Sequence, residues 1–253
     1  MAKPRKLDQK AGWAFAVCIA IVKPSLLAFS KHRWIDGHKL PAEGGCVVAG
    51  NHISHLDPFT LGHFIHDRGR IPRYLAKSEV FDIPIGGAIL RDAGQIPVYR
   101  LTTDASQAFR AAVSAVGEGE CVVVYPEGTI TRDPDLWPMT GRTGAARIAL
   151  TAGVPVIPIA QWGAHEILAP YAKKPDIFPR KTVTMKVGDP VDLSDLEGEP
   201  LTPESLRGAT TRIMDELTRL LADIRVGAPP DTRFDPRSAG VPQMGNPNEG
   251  RKR

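Results

Sequence analysis

The run Cys46-Val47-Val48-Ala49 constrains this chain more than any other stretch. Gly44-Gly45 precede it, and Gly50-Asn51-His52 follow. Small or β-branched apolar residues that stop abruptly read as a short buried strand. In an open α/β sheet the polar groups of a site gather just past the strand ends. Asn51 and His52 stand at such a place.

The remainder alternates between strand and helix patterns. Arg33 to Leu40 reads as a strand and turn, Tyr74 to Ala76 as a strand ending at Lys77, and Gln95 to Tyr99 and Cys121 to Tyr125 as further strands. Helices are predicted over 58–66, 83–92, 105–118 and 144–151, with Gly153 closing the last. Thr182 to Val187 alternates as a strand, and Pro203 to Ile224 is a long amphipathic helix behind a Thr202 cap. Val154 to Ala160 carries Pro155 and Pro158, which predicts an edge or irregular strand. The class is therefore α/β, a sheet flanked by helices, in one domain over residues 33–225. Residues 226–253, rich in Pro, Gly, Asn and charge, read as a disordered tail.

Residues 1–32 form a separate segment. A basic head with Lys3, Arg5, Lys6 and Lys10 leads into the apolar run Ala11 to Val22, which Lys23-Pro24 breaks and Ser25 to Phe29 resumes. No small-residue cleavage site follows, so a secretory signal is not indicated. Twelve residues span only about 18 Å, against roughly 30 Å of hydrocarbon. The expectation is a helix pair or bent helix lying in one leaflet, with Trp13, Trp34 and the flanking cations at the headgroups. A buried core helix is the alternative. The partner is then a membrane surface.

With 32 Lys and Arg against 28 Asp and Glu, bulk charge does not point to a nucleic-acid binder. Cys18, Cys46 and Cys121 are too few and scattered for a disulfide framework, which fits a reducing compartment.

Asp57 follows His52 by five residues, and Asp57-Pro58 reads as a helix start with the carboxylate at the N-cap. The intervening loop is short enough for the carboxylate to fold back on the imidazole. It would then fix one ring nitrogen and leave the other to take a proton from a substrate hydroxyl. Asp57 as a mere cap and His52 as a structural hydrogen-bonding group are the alternatives. Two carboxylate oxygens make capping and orienting compatible.

Asn51-His52, four residues, then Asp57 resembles the N-H-x-x-x-x-D motif of the glycerolipid acyltransferases, the 1-acylglycerol-3-phosphate acyltransferase family. Three further stretches follow in that family's order. They are Gly94 to Arg100, Tyr125-Pro126-Glu127-Gly128-Thr129, and Val154 to Ile159. The resemblance covers roughly residues 30–190. It implies a mixed, mostly parallel sheet flanked by helices, with an N-terminal membrane-anchoring motif, on the cytoplasmic face of the cell membrane. The implied reaction moves a fatty acyl group to the free hydroxyl of lysophosphatidate. The co-substrate is acyl-CoA or an acyl carrier protein thioester, and no cofactor or metal is needed.

Under that resemblance His52 and Asp57 are catalytic, and the acceptor phosphate calls for cations and N–H groups. Arg100 is the first candidate, and Lys77, at another strand end, a second. Gly128 lets backbone approach a ligand and Thr129 can donate to it. Glu127 is expected to bind acceptor hydroxyls or to hold neighbouring arginines. The family's arginine directly after the threonine is missing, since Ile130 and Thr131 come before Arg132. Arg132 from a longer turn, or Arg142, is expected to replace it. Val154 to Ile159 is either acyl-binding wall or ordinary core.

Three rivals remain. One is the same chemistry on glycerol 3-phosphate or another lysophospholipid. The second is a metal-dependent hydrolase using His52, His55 and Asp57 with His63 or His66, and the third a membrane-bound scaffold without catalysis.

Overall fold

The computed structural model describes residues 12–98, 105–242 and 246. In chain order the helices and strands are α1 (Trp13–Phe29), β1 (Ser30–Ile35), β2 (Cys46–Gly50), α2 (Asp57–Asp67), β3 (Pro72–Lys77), α3 (Gly86–Asp92) and β4 (Ile96–Val98). There follow α4 (Ala105–Gly117), β5 (Cys121–Val124), α5 (Gly144–Ala152), β6 (Val156–Trp162), α6 (Ala164–Ile167), β7 (Lys181–Val187) and α7 (Pro203–Ala222).

Seven strands form one sheet in the order β1-β7-β6-β2-β5-β3-β4. All neighbours pair in parallel except β6 with β7. This is the mixed, mostly parallel sheet that was expected. The strand period of two divides the core. Cys46, Val48, Cys121, Val123, Ile157 and Ile159 face α2, while Val47, Ala49, Val122, Val124 and Val156 face α4, α5 and α7.

This layering sets the place of the site. The chain leaves β2 towards α2 on one face, and leaves the adjacent β5 towards α5 on the other. Neighbouring parallel strands whose connections part to opposite faces open a crevice at their carboxyl ends. The loops beginning at Asn51 and Tyr125 line it.

Two expectations are corrected here. The prolines do not put β6 at an edge, because it lies buried between β2 and β7. Gly188 N–H donates to the Pro158 carbonyl at 2.9 Å, at the very end of the β6–β7 ladder. The donor that Pro158 lacks would be needed only where β7 has already stopped.

Nor is the N-terminal run a pair of helices. α1 is a single 17-residue helix containing Pro24. Pro24 and Ala20, whose carbonyl loses its partner, both lie on the exposed side, and Ser25 Oγ donates to the Ile21 carbonyl at 2.8 Å. The carbonyl that the proline leaves without a donor therefore lies on the exposed side of the helix. α1 packs on α2 and α3 through Phe15 and Ile19, with Lys23 Nζ 2.7 Å from Asp67 and Ala14 N donating to Asp92. Its outer face exposes Trp13, Val17, Ile21 and Leu27. No helix among the described residues is long and apolar enough to cross a membrane.

Beyond α7, several residues up to 242 meet the domain. The Phe234 carbonyl accepts from Thr140 N, Arg233 pairs with Asp215, and Pro236 is buried. Composition excludes a helix or strand there but not carbonyls that meet donors of the domain.

Candidate active site

Asn51 ends β2 inside the protein and meets Gln161 of β6 through three hydrogen bonds. Its Oδ1 accepts from Gln161 N at 2.8 Å, its Nδ2 donates to the Gln161 carbonyl at 3.1 Å, and its own carbonyl accepts from Gln161 Nε2 at 2.8 Å. Buried amides are costly unless paired, so this clasp determines where the His52 loop starts. Gln161 was not picked out from the sequence. Its one signal is a polar residue closing an apolar strand, the same signal that marks Asn51.

His52 Nδ1 lies 2.8 Å from Asp57 Oδ2, which also accepts from Ile53 N at 2.6 Å and Ser54 N at 2.7 Å. An ionised carboxylate only accepts, so Nδ1 carries the proton and Nε2 keeps its lone pair. The imidazole stacks on Tyr125 at 4.4 Å and 19°, and its side chain is 15% exposed, whereas Asp57 is fully buried. Nε2 has no hydrogen-bond partner among the described residues.

Asp57 is not the N-cap that Pro58 suggested. It is the first residue of α2, behind Leu56, and its carboxylate accepts from the loop and the imidazole. The loop N–H groups arrive closer to it than those of the helix's first turn. Ser54 Oγ is committed as well, donating to the Leu168 carbonyl and accepting from Leu56 N.

Glu127 is placed inside the protein, where its carboxyl meets backbone N–H groups of His52 and Met139. It is 2% exposed, with Oε1 accepting from His52 N at 3.0 Å and Oε2 from Met139 N at 3.2 Å. Burial pushes its carboxyl up to about 8, against the pull of those N–H groups. It ties the loops after β2 and β5 together. Gly128 has φ of +70°, and a Cβ there would come within 2.9 Å of Arg142 Nε.

The cations are disposed unequally. Arg132 is largely buried, donating to the Tyr171 hydroxyl and the Pro242 carbonyl with its guanidinium 4.9 Å from the Tyr171 ring. Thr129 Oγ1 lies 3.4 Å from the same hydroxyl, and the His55 ring 5.6 Å from the Tyr171 ring. Lys77 is exposed at the end of β3. Burial, then the charge of His52, lowers the pKa of His55 against the pull of Asp57. Arg142 is exposed against Gly128. Arg100 lies outside the described residues. Tyr171 had no sequence signal, since it belongs to the irregular segment after α6.

The hydrolase constellation does not assemble. His63 and His66 approach Asp67 at the far end of α2, and His63 packs on His32 and Trp34. Among the described residues no three His, Cys, Asp or Glu converge as a metal site.

An α/β sheet with a histidine–aspartate pair in its switch-point crevice is the class that fold and site define. The sequence model of the acyltransferase family matches residues 33–162, just over half of the chain, from within β1 to the end of β6. The chain belongs to the acyltransferase family. It is 28% identical over 184 residues to the 1-acyl-sn-glycerol-3-phosphate acyltransferase of Bacillus subtilis, covering 72% of this chain and 83% of that protein. A chloroplastic 1-acyl-sn-glycerol-3-phosphate acyltransferase of Brassica napus is 32% identical over 124 residues, which are 49% of this chain but only 34% of that protein. The crystal structure of a 1-acyl-sn-glycerophosphate acyltransferase from Thermotoga maritima superposes with a TM-score of 0.63, at 22% identity, over 85% of this chain and 81% of that one. This last likeness is one of fold.

Proposed function

We propose that this protein transfers a fatty acyl group from a thioester to the free hydroxyl of lysophosphatidate, making phosphatidate. The observation that carries the reading is the His52–Asp57 pair, with Nδ1 held at 2.8 Å and Nε2 open to the crevice. His52 Nε2 takes the acceptor's hydroxyl proton as its oxygen attacks the thioester carbonyl. The C–O bond forms, the C–S bond breaks, and the thiolate leaves with the proton carried by the imidazolium. A thioester is already activated, so no acyl-enzyme is required. Ser54, the hydroxyl nearest in sequence, is buried and hydrogen-bonded elsewhere.

Lys77, Arg142 and Arg132 supply positive charge for the acceptor phosphate, with Arg100 joining them by resemblance. Arg132 reaches phosphate once Tyr171 yields it. The apolar outer face of α1 suits the cytoplasmic face of a membrane, where both lipids reside. Acyl transfer by detergent-purified protein should yield phosphatidate from lysophosphatidate and far less product from glycerol 3-phosphate. Product from glycerol 3-phosphate alone would move the reading to that acceptor, and no transfer to either by folded protein would overturn it.

A further inference from the structure

The loop that carries His52 and Asp57 is held at three places from one stretch of chain, the end of β6 and the turn through α6. Asn51, just before His52, meets Gln161. Ser54, in the middle of the loop, donates through Oγ to the Leu168 carbonyl at 2.7 Å. Thr60, in the first turn of α2, has its Oγ1 3.3 Å from Gln161 Oε1. Asn51, Ser54, Thr60 and Gln161 are all buried, so none of these bonds competes with water.

The backbone and the side chain of Gln161 do different things. Its N–H and its carbonyl meet the Asn51 side chain at 2.8 and 3.1 Å, which fastens β2 to β6 whatever side chain stands at 161. The side-chain amide goes further. Nε2 donates to the Asn51 carbonyl at 2.8 Å, while Oε1 accepts from Thr60, whose Oγ1 also lies 3.2 Å from the Asp57 carbonyl. One planar amide therefore links the residue before His52 to the helical turn that begins at Asp57. A carboxylate in its place lacks the donor, and a thioether replaces neither bond.

The spacing so fixed is the one the pair depends on. His52 Nδ1 and Asp57 Oδ2 are 2.8 Å apart, and a displacement of about 1 Å ends a hydrogen bond and can cost on the order of 10²-fold in rate.

We infer that the side chain of Gln161 is a positioning residue for the His52–Asp57 pair. By setting the distance from the start of the loop to the first turn of α2, it aligns the imidazole with the carboxylate. It acts through the pair, not on the substrates. The inference rests on the reading of His52 as the base and adds what holds that base in line with its carboxylate.

The test uses Gln161→Met, which removes the amide and keeps its length and the backbone bonds to Asn51. The kcat should fall about tenfold or more, with the KM for lysophosphatidate within about twofold. In an Asp57→Asn background the same change should cost less than about threefold, because the charge whose alignment the amide secures is gone. Thr60→Val should lower kcat in the same way, and Thr60→Ser should keep it, since only the hydroxyl meets the amide. In histidine-labelled protein, the low-field Nδ1–H resonance that His52→Ala abolishes should move upfield or broaden in Gln161→Met. A loss that multiplies fully with that of Asp57→Asn, a change in KM alone, or an unmoved resonance would overturn the inference and leave the amide as core packing. If Gln161→Met does not fold, the Thr60 pair decides by the same readouts. A resonance that moves in a protein without transfer to lysophosphatidate would sink the acceptor reading and keep the positioning.

Discussion

The Asp57→Asn substitution is expected to lower kcat about 10²-fold with little change in the KM for acceptor, because it leaves the imidazole in place and removes the charge behind it. Three donors converge on Asp57 Oδ2, namely His52 Nδ1, Ile53 N and Ser54 N. In the variant these donors force the amide oxygen into that position, so the tautomer of His52 is kept. The loss is therefore that of imidazolium stabilisation, smaller than the roughly 10⁴-fold seen when an amide imposes the wrong tautomer. Removing the base by His52→Ala should cost more, towards about 10⁴-fold. The amide nitrogen takes the place of Asp57 Oδ1, which is buried without a partner. An unpaired N–H group there costs about 1–3 kcal/mol of stability. Steady-state kinetics with denaturant titration separates the two effects. An Asp57→Asn enzyme with unaltered kcat would exclude the pair as the catalytic unit.

Raising the pH from 5 to 8 is expected to destabilise the protein through Glu127, opposite to the usual behaviour of carboxylates. Its carboxyl is shifted by burial from an ordinary value of 4.5 to about 8. Between those two values the native state holds a proton that the unfolded chain has released. The contribution is therefore fully present below about pH 4.5 and is lost as pH rises through the native value. Linkage sets the slope at about 1.4 kcal/mol per pH unit inside that window. Urea midpoints across the range report it. In the Glu127→Gln variant this slope should disappear. The amide oxygen can accept from only one of His52 N and Met139 N, and its NH₂ then faces the other. The variant should be about 1–3 kcal/mol less stable at pH 5, and its turnover should fall as the His52 loop loosens. A slope unchanged by the substitution would assign the pH dependence to another group.

How much was legible can be argued from particular residues. His52 and Asp57 were readable because five residues of loop leave few ways for a carboxylate to miss the imidazole. The strand–helix alternation was readable because β-branched runs such as Cys121 to Val124 and the apolar face of 105–118 are local patterns. Asp57 was misread in part, since Asp-Pro looks the same whether the carboxylate caps the helix or turns back on the loop. Pro158 was misread because a proline's cost depends on where the neighbouring strand ends, which its own strand does not record.

Gln161, Tyr171 and the inward turn of Glu127 had to wait for the fold. Asn51 and Gln161 are 110 positions apart, as the hydrogen bonds between them record, and come together only because β6 lies beside β2. Sequence by itself determined the class, most strand and helix positions, and the pairing of His52 with Asp57, since each rests on interactions within a few residues. Only the tertiary structure decided which face of the sheet each loop serves, which cations stay open, and that the Glu127 carboxyl from the neighbouring loop holds the backbone of His52. Those depend on strand order, and strand order is set by burial of the whole core rather than by any one segment.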